Sequence, residues 1–323
     1  MRILVTGGAG FIGSHLSERL VSDGHNVVVL DDLSTGSIEN VSDLILDPKF
    51  RLIEGSILDG ETLKSAIKDV DYIFHLAAAV GVFNIVKDPL SSLFTNIRGT
   101  ENVLEMASSR GIPVFLTSSS EVYGKNTSNS LKETDDRIVG NPLILRWSYS
   151  EAKAIDESLA YAYHLERNLE VRIVRLFNTV GPRQLGSYGM VVPRFVESAI
   201  ANHDLVVYGN GNQTRCFAHV LDVVDALILL AFSEKAIGKV VNVGNSYEIS
   251  INSLAKKIID ETKSRSKVVH IPYQDAYGDN FEDMTRRVPD IGLIKQITGW
   301  VPQYDLSRMI ADIRAEMTFK SKL

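Results

Sequence analysis

The chain has 323 residues, 45% of them hydrophobic and 23% charged, with 34 Lys+Arg against 40 Asp+Glu and a formal net charge of −6. That length suits two domains, or one large α/β domain with an extension, and buries a core without covalent staples. The negative balance argues against non-specific nucleic-acid binding; a single cysteine, Cys216, rules out an internal disulfide; zinc-type Cys/His spacings are absent, so no metal is expected; and no apolar run reaches the roughly 18 residues of a membrane span.

The first strand is expected at Arg2–Thr6. It runs into Thr6-Gly7-Gly8-Ala9-Gly10-Phe11-Ile12-Gly13, which opens a helix over Ile12–Ser22. In that loop Gly7 allows a tight turn, Gly10 lets backbone approach a pyrophosphate, and Gly13 lets helix and strand pack closely. Phe11 and Ile12 begin the helix, whose unpaired N–H groups and positive dipole end suit phosphates. The bland alternative is a tight structural turn. A second strand, Asn26–Leu30, ends at Asp31. A carboxylate there accepts hydrogen bonds from a ribose 2′-hydroxyl and repels a 2′-phosphate. No arginine follows in Asp32-Leu33-Ser34-Thr35-Gly36, so NAD is favoured over NADP. The alternative is that Asp31 only caps a turn.

Further strands are expected at Arg51–Glu54, Tyr72–His75, Pro113–Thr117 and Val171–Arg175, with helices over Glu61–Ile67, Leu90–Arg110 and Tyr149–Asn168. This alternation predicts an α/β fold with a doubly wound parallel sheet. After about Phe177, glycine and proline cluster at Gly181-Pro182, Gly186–Gly189 and Gly209-Asn210-Gly211, and the elements shorten. A division into 1–177 and 178–323 follows, the second part being a smaller lobe that closes over the sheet's carboxyl edge. The boundary is interleaved, because Val240–Val243 is able to rejoin the sheet.

Two patterns carry chemistry. Thr117-Ser118-Ser119-Ser120-Glu121-Val122-Tyr123-Gly124 follows the fifth strand, where open α/β sheets place ligands. A hydroxyl there can bridge a substrate oxygen and Tyr149; the local alternative is a serine-rich turn. Tyr149 and Lys153 are four apart on one helix face. An ammonium beside a phenol stabilises phenolate and lowers the tyrosine pKa, so Tyr149 could take a proton from a substrate alcohol while a nicotinamide takes hydride.

With these pieces the chain resembles the extended short-chain dehydrogenase/reductase family, in particular its nucleotide-sugar epimerases, dehydratases and decarboxylases. The resemblance covers nearly the whole chain through Thr6–Gly13, Asp31–Gly36, His75-Leu76-Ala77-Ala78, Asn96–Leu104, Ser118–Gly124, Tyr149–Lys153 and Arg175–Arg183. It implies a Rossmann-type fold with a C-terminal substrate-binding lobe. It implies NAD contacts at Gly7, Gly10, Phe11, Ile12, Gly13, Asp31, Asp32, Ser34, Thr35, Gly36, Leu76, Ala77, Ala78, Thr117, Tyr149 and Lys153. The adenine-contact segment reads Gly55-Ser56-Ile57-Leu58-Asp59, with Ser56 where the family has aspartate. The family's reactive hydroxyl falls on Ser119, and its tyrosine and lysine on Tyr149 and Lys153. Asn178, Arg215 and Arg287 match positions that grip a nucleotide diphosphate, a task suited to arginine forks. Val192 lies in the segment that runs along the nucleobase, and uracil is the commoner base with this pattern.

Three reactions share oxidation at sugar C4 and differ afterwards: 4-epimerisation, 4,6-dehydration and decarboxylation at C6. Glu121, preceded by Ser120 and not by aspartate, resembles the uronic-acid decarboxylases, as does Arg146 three residues before Tyr149. A cation there could engage a C6 carboxylate; a salt bridge to Glu151 or another local acid competes. The expectation is a cytoplasmic UDP-glucuronate decarboxylase with catalytic Ser119, Glu121, Tyr149 and Lys153, with 4-epimerase, dehydratase and NAD-sensing readings behind it. The resemblance also implies a homodimer through a four-helix interface, with Leu93, Leu159 and Tyr163 near it; the alternative is that these residues pack only on their own sheet. The last three residues, Ser321-Lys322-Leu323, spell a peroxisomal address or a solvated tail.

Overall fold

A computed structural model describes residues 1–81, 87–186, 190–277, 282 and 284–320. The tail at 321–323 and positions 187–189 of the second glycine cluster lie outside the described residues. The N-terminal part alternates strictly: β1 (Arg2–Thr6), α1 (Phe11–Ser22), β2 (Asn26–Asp31), β3 (Phe50–Glu54), α2 (Gly60–Ala66), β4 (Tyr72–His75), α3 (Pro89–Ser108), β5 (Val114–Ser119), α4 (Ser148–Arg167) and β6 (Val171–Leu176). The helices start where the sequence supplies caps. The Asp59 carboxylate accepts from the Glu61 N–H ahead of α2, and Asp88 with Pro89 opens α3. Asn168, in the left-handed conformation at φ 54°, ends α4.

A seven-stranded sheet runs in the order β11-β6-β5-β4-β1-β2-β3, every neighbour parallel. Strand β11 (Val240–Val243) joins from far down the chain, pairing Val241 with Val174. Both sheet faces are covered, so the strands read as near-continuous apolar runs. Alternate residues serve opposite layers. Ile3, Val5, Val27 and Val29 face α1 and α6 (Val220–Ala231), where Leu16, Leu20, Val223 and Leu227 are buried. Leu4, Val28 and Leu30 face α2, α3 and α4 through Leu63, Val103, Leu104 and Ala160. Each fully buried Val or Leu side chain contributes about 1.5–3 kcal/mol.

The smaller lobe contains β7 (Thr179–Val180), α5 (Val191–Ile200), β8 (Leu205–Tyr208), β9 (Thr214–Cys216), β10 (Ala218–His219), β12 (Glu248–Ser250), α7 (Ile251–Thr262), β13 (Val268–Ile271), α8 (Tyr273–Tyr277) and α10 (Leu306–Lys320). Its core is a separate cluster around Val192, Phe195, Leu254, Ile258, Met309 and Ile310. The chain does not divide at one point: α6, β11 and α9 (Gly292–Thr298, through Ile294) pack on the first sheet. The two parts are tied at Arg183, which has a left-handed φ of 69°. Its guanidinium donates to Ser14 Oγ (3.2 Å) and Glu18 Oε1 (2.5 Å) on α1, and its N–H donates to Glu316 (2.6 Å) on α10. Because β2 lies on one side of β1 and β4 on the other, the winding reverses there. The loops after β1 and β4 part to leave a crevice at the sheet's carboxyl edge.

Candidate active site

That crevice continues between the lobes as one cavity of about 1000 Å³. At its sheet end the loop after β1 turns at Gly7, whose φ is +71°; a Cβ there would stand 2.7 Å from Ala77 N. At Gly13 a Cβ would lie 2.1 Å from Gly7 O, so only glycine lets α1 begin this close to the loop. No side chain caps the N-terminus of α1, which leaves its first N–H groups for an anion. Asp31 closes the far side. One carboxylate oxygen accepts from Ala9 N and the other from Leu33 N, both at 2.9 Å. Burial raises its pKa, and the Leu33 and Ala9 N–H groups oppose this. Asp31 therefore caps a turn as well as lining the cavity. These features fit a dinucleotide: a side-chain-free pyrophosphate cradle with a carboxylate beyond it.

The lining includes Gly7, Gly10, Phe11, Ile12, Gly13, Asp31, Asp32, Ser34, Thr35, Ser56, Ile57, Leu76, Ala77, Ala78 and Thr117, as expected of a cofactor end. Gly36 is the exception. It sits outside the lining, where a Cβ would meet Asp31 Oδ1 at 2.9 Å. The Ser56 hydroxyl accepts from Leu58 N at 3.2 Å, shaping its own turn.

At the other end the cavity takes in Ser119, Ser120, Glu121, Arg146, Tyr149, Lys153, Asn178, Val192, Arg215 and Arg287. Strand β5 delivers Ser119, whose hydroxyl accepts from Glu121 N (3.2 Å) and starts the 3-10 turn Ser120–Tyr123. Helix α4 delivers Tyr149 and Lys153. The Lys153 ammonium donates to Thr117 O (3.1 Å) and Asp156 Oδ2 (3.2 Å). The phenol is not depressed as its spacing from Lys153 suggested. Burial, then the charges of Glu121 and Asp156, raise its pKa; Ser119 and Arg287 lower it by less. The lysine's charge is shared with Asp156, and desolvation of a phenolate outweighs what remains.

Glu121 is the electrostatic centre. Arg146 Nη1 meets its Oε2 at 2.5 Å and Arg287 Nη1 its Oε1 at 2.8 Å, while Arg287 also donates to Ser120 Oγ at 3.2 Å. Burial alone would raise the Glu121 pKa. Arg146 and Arg287, with Arg215 behind them, outweigh it and hold the carboxyl at about 2. With these arginine contacts in place Glu121 is ionised at neutral pH, a state suited to orienting an intermediate. Arg146 engages this acid and not Glu151, which pairs with Arg137 at 3.1 Å. Arg287 turns to Glu121, Arg215 Nη1 donates to Thr214 O (2.8 Å), and Asn178 donates to Cys216 O (2.9 Å). The smaller lobe adds a wall the sequence reading missed: the Arg194 guanidinium lies 4.4 Å over the Tyr208 ring, and Gln213 donates to Tyr273 at 2.9 Å. Also missed was Asp156, which continues the face of Tyr149 and Lys153 by one turn and was visible as spacing. Glu282, which accepts from Trp147 Nε1 at 2.8 Å beside Arg146, had no local signal.

Among the described residues no three His, Cys, Asp or Glu side chains are placed to hold a metal ion, and no helix is long and apolar enough to cross a membrane. Residues 4–313 match the family described as GDP-mannose 4,6 dehydratase. Among curated proteins, the chain is 41% identical over 302 residues to a UDP-N-acetyl-alpha-D-glucosaminuronate decarboxylase of Bacillus cytotoxicus, covering 93% of this chain and 92% of that protein. It is 38% identical over 318 residues to UDP-glucuronic acid decarboxylase 1 of Arabidopsis thaliana, covering 97% and 70%. Its fold superposes with a TM-score of 0.89 on a UDP-glucuronic acid 4-epimerase from Bacillus cereus solved with UDP-glucuronic acid and NAD, at 26% identity over 99% of this chain and 100% of that one. The chain belongs to this nucleotide-sugar-modifying branch of the extended short-chain dehydrogenase/reductases.

Proposed function

We propose that this member of the family decarboxylates a UDP-linked hexuronate, with UDP-glucuronate as first substrate and NAD as resident cofactor. The observation that carries the reading is the pair of arginines, Arg146 and Arg287, converging on one carboxylate beside Tyr149. That centre is built for carboxylates, and a hexuronate differs from a neutral hexose by a carboxylate at C6. The identity to two uronate decarboxylases supports it. The turn at Gly7, Gly10 and Gly13 and the Asp31 carboxylate would hold NAD, which when bound would supply a hydride acceptor and donor for sugar C4.

The protein's own groups divide the rest. Tyr149 takes the C4 hydroxyl proton and gives it back, with Ser119 beside it. Arg146 draws the C6 carboxylate towards the centre now filled by Glu121. Glu121 offsets part of the arginine charge, so the substrate carboxylate is held without being stabilised as it would be by two free cations. The C5–C6 bond then breaks, its electron pair passes into the C4 ketone, and carbon dioxide leaves. A proton from solvent then takes the place of the lost carboxyl group at C5 as the enolate reverts to the C4 ketone. Arg215 and Asn178 hold the diphosphate, Arg287 being engaged by Glu121, and Val192 lies along the base. A homodimer through α3 and α4 and a cytoplasmic setting belong to the same reading.

The test is product analysis with UDP-glucuronate and, in parallel, UDP-N-acetylglucosaminuronate. Carbon dioxide and a UDP-pentose are expected. A C4-inverted hexuronate without gas would make the protein a 4-epimerase, as its structural neighbour is named. Arg146→Ala should weaken UDP-glucuronate about tenfold more than UDP-glucose, the scale of one charge-assisted pair. Tighter binding of NADP than of NAD in calorimetry would reject the cofactor assignment.

A further inference from the structure

Tyr149, Lys153 and Asp156 stand at i, i+4 and i+7 on one face of α4, so the redox pair continues into a third ionisable group. Asp156 is fully buried, and its Oδ2 accepts from the Lys153 ammonium at 3.2 Å, itself only 2% exposed. Its Oδ1 is buried without a hydrogen-bond partner. A carboxylate enclosed this way is costly unless it answers a charge, and the ammonium it answers is that of the family's lysine. We propose that Asp156 is a positioning residue of the redox step: it fixes the Lys153 ammonium against the end of β5 and sets a second buried negative charge against the Tyr149 phenol.

The surroundings leave this role to Asp156. Its neighbour Glu157 is spent on Arg175, with a 2.8 Å contact at Nη2, and on the Ser118 hydroxyl at 2.5 Å. On the side of α3, Thr100 faces Asp156 and offsets a little of its burial. Thr100 Oγ1 also meets His75 Nε2 at 3.1 Å, and His75 Nδ1 meets Thr6 Oγ1 at 2.7 Å. Burial and the charge of Lys153 push the His75 pKa down to about 3, so it adds no charge at neutral pH. From the 3-10 turn after β5, Glu121 also faces Tyr149 and raises its pKa, although Arg146 and Arg287 pair with that carboxylate. Asp156 therefore adds its charge to that of Glu121 at the phenol, and its pairing with Lys153 sets that part of the field. Such matching keeps the tyrosine protonated until substrate and cofactor are in place.

The proposal rests on Tyr149 and Lys153 acting in the reaction above, and two measurements separate the two claims. The first is the pH dependence of single-turnover formation of bound NADH with UDP-glucuronate. In Asp156→Asn the lost charge eases ionisation of Tyr149, so the rising limb should move down by about one pH unit. Asp156→Glu should restore the native profile. Asp156→Ser, smaller and equally neutral, should repeat the asparagine shift if that variant folds poorly. The second is a stability cycle in urea on Asp156→Asn, Lys153→Met and the double variant, which needs no activity. Each single change strands a buried partner, so the double variant should be no less stable than the worse single one. An unshifted profile in both neutral variants, or additive losses in the cycle, would overturn the role of Asp156. A native protein that binds NAD but transforms no nucleotide sugar would instead sink the proposed function, while the cycle still decides whether Asp156 holds Lys153.

Discussion

Replacing Tyr149 with phenylalanine keeps the half-buried ring and removes only the hydroxyl. Substrate and cofactor affinity should hold while NADH formation falls roughly 10²–10⁴-fold, the range for a lost general acid–base group. Near-native NADH formation in a stopped-flow trace would take Tyr149 out of the reaction. Glu121 makes a different prediction, because its charge is structural as well as chemical. A carboxyl depressed to about 2 in the folded chain, against an ordinary value near 4.3 when unfolded, contributes stability that is complete above about pH 4.5. That stability is lost as pH falls towards 2. Glu121→Gln, which strands Arg146 and Arg287, should therefore be clearly less stable than the native protein at pH 7. The gap should narrow steadily between pH 5 and pH 3 in denaturant titrations; a gap constant with pH would mean that the arginines do not hold the carboxylate ionised.

At the scale of elements, the junction of β1, its loop and α1 does most to shape the end of the cavity proposed for NAD. The loop closes over the helix so tightly that a single methyl at Gly13 would enter the Gly7 carbonyl. Backbone crowds that position, not a flexible side chain, so the neighbours cannot yield cheaply. Gly13→Ala should lower the melting temperature and cost most of the NAD affinity. Gly24→Ala serves as the control: its φ of +92° strains the added side chain, but nothing lies within 4 Å of its Cβ and it is remote from the loop after β1. Equal NAD affinity in the two variants would show that the cradle tolerates a shift of α1. The strands needed little beyond their own pattern. Asn26–Leu30 and Val171–Arg175, as read from the sequence, each gained one residue at the carboxyl end, and β5 gained Ser118 and Ser119. Those additions are the residues that enter the crevice, where pairing continues beyond the apolar run.

For the molecule as a whole, α3 and α4 lie side by side and leave an apolar strip outward. Leu90 and Phe94 on α3, and Ile155, Tyr161 and Leu165 on α4, are exposed. Leu159 and Tyr163 instead pack on the chain's own core, and Tyr163 donates to Glu105 at 2.6 Å. If this strip is the dimer face, Ile155→Asp with Leu165→Asp should yield a folded monomer in sedimentation at micromolar concentration. A dimer that survives both changes would place the interface elsewhere, and a monomeric native chain would remove it.

Much of this protein is written locally. The glycine spacing Gly7, Gly10 and Gly13, the acid ending β2, the period-two strands and the Tyr149–Lys153 pair depend on neighbours within a few residues, so the sequence alone specified the sheet, the glycine turn that opens α1 and the shared helix face of Tyr149 and Lys153. The partners of the charged groups were not legible, because they come from distant elements. Arg146 had Glu151 nearer in sequence, yet folding put it on Glu121, which Arg287 reaches from 166 positions away. Lys153 was expected beside the phenol, and a buried Asp156 claimed part of its charge. Leu159 and Tyr163, which the resemblance sets near a dimer interface, are half-buried against the chain's own core. In each case the local sequence offers several partners of similar strength, and the choice falls to whichever contact the packed interior removes from water, which only the tertiary structure determines.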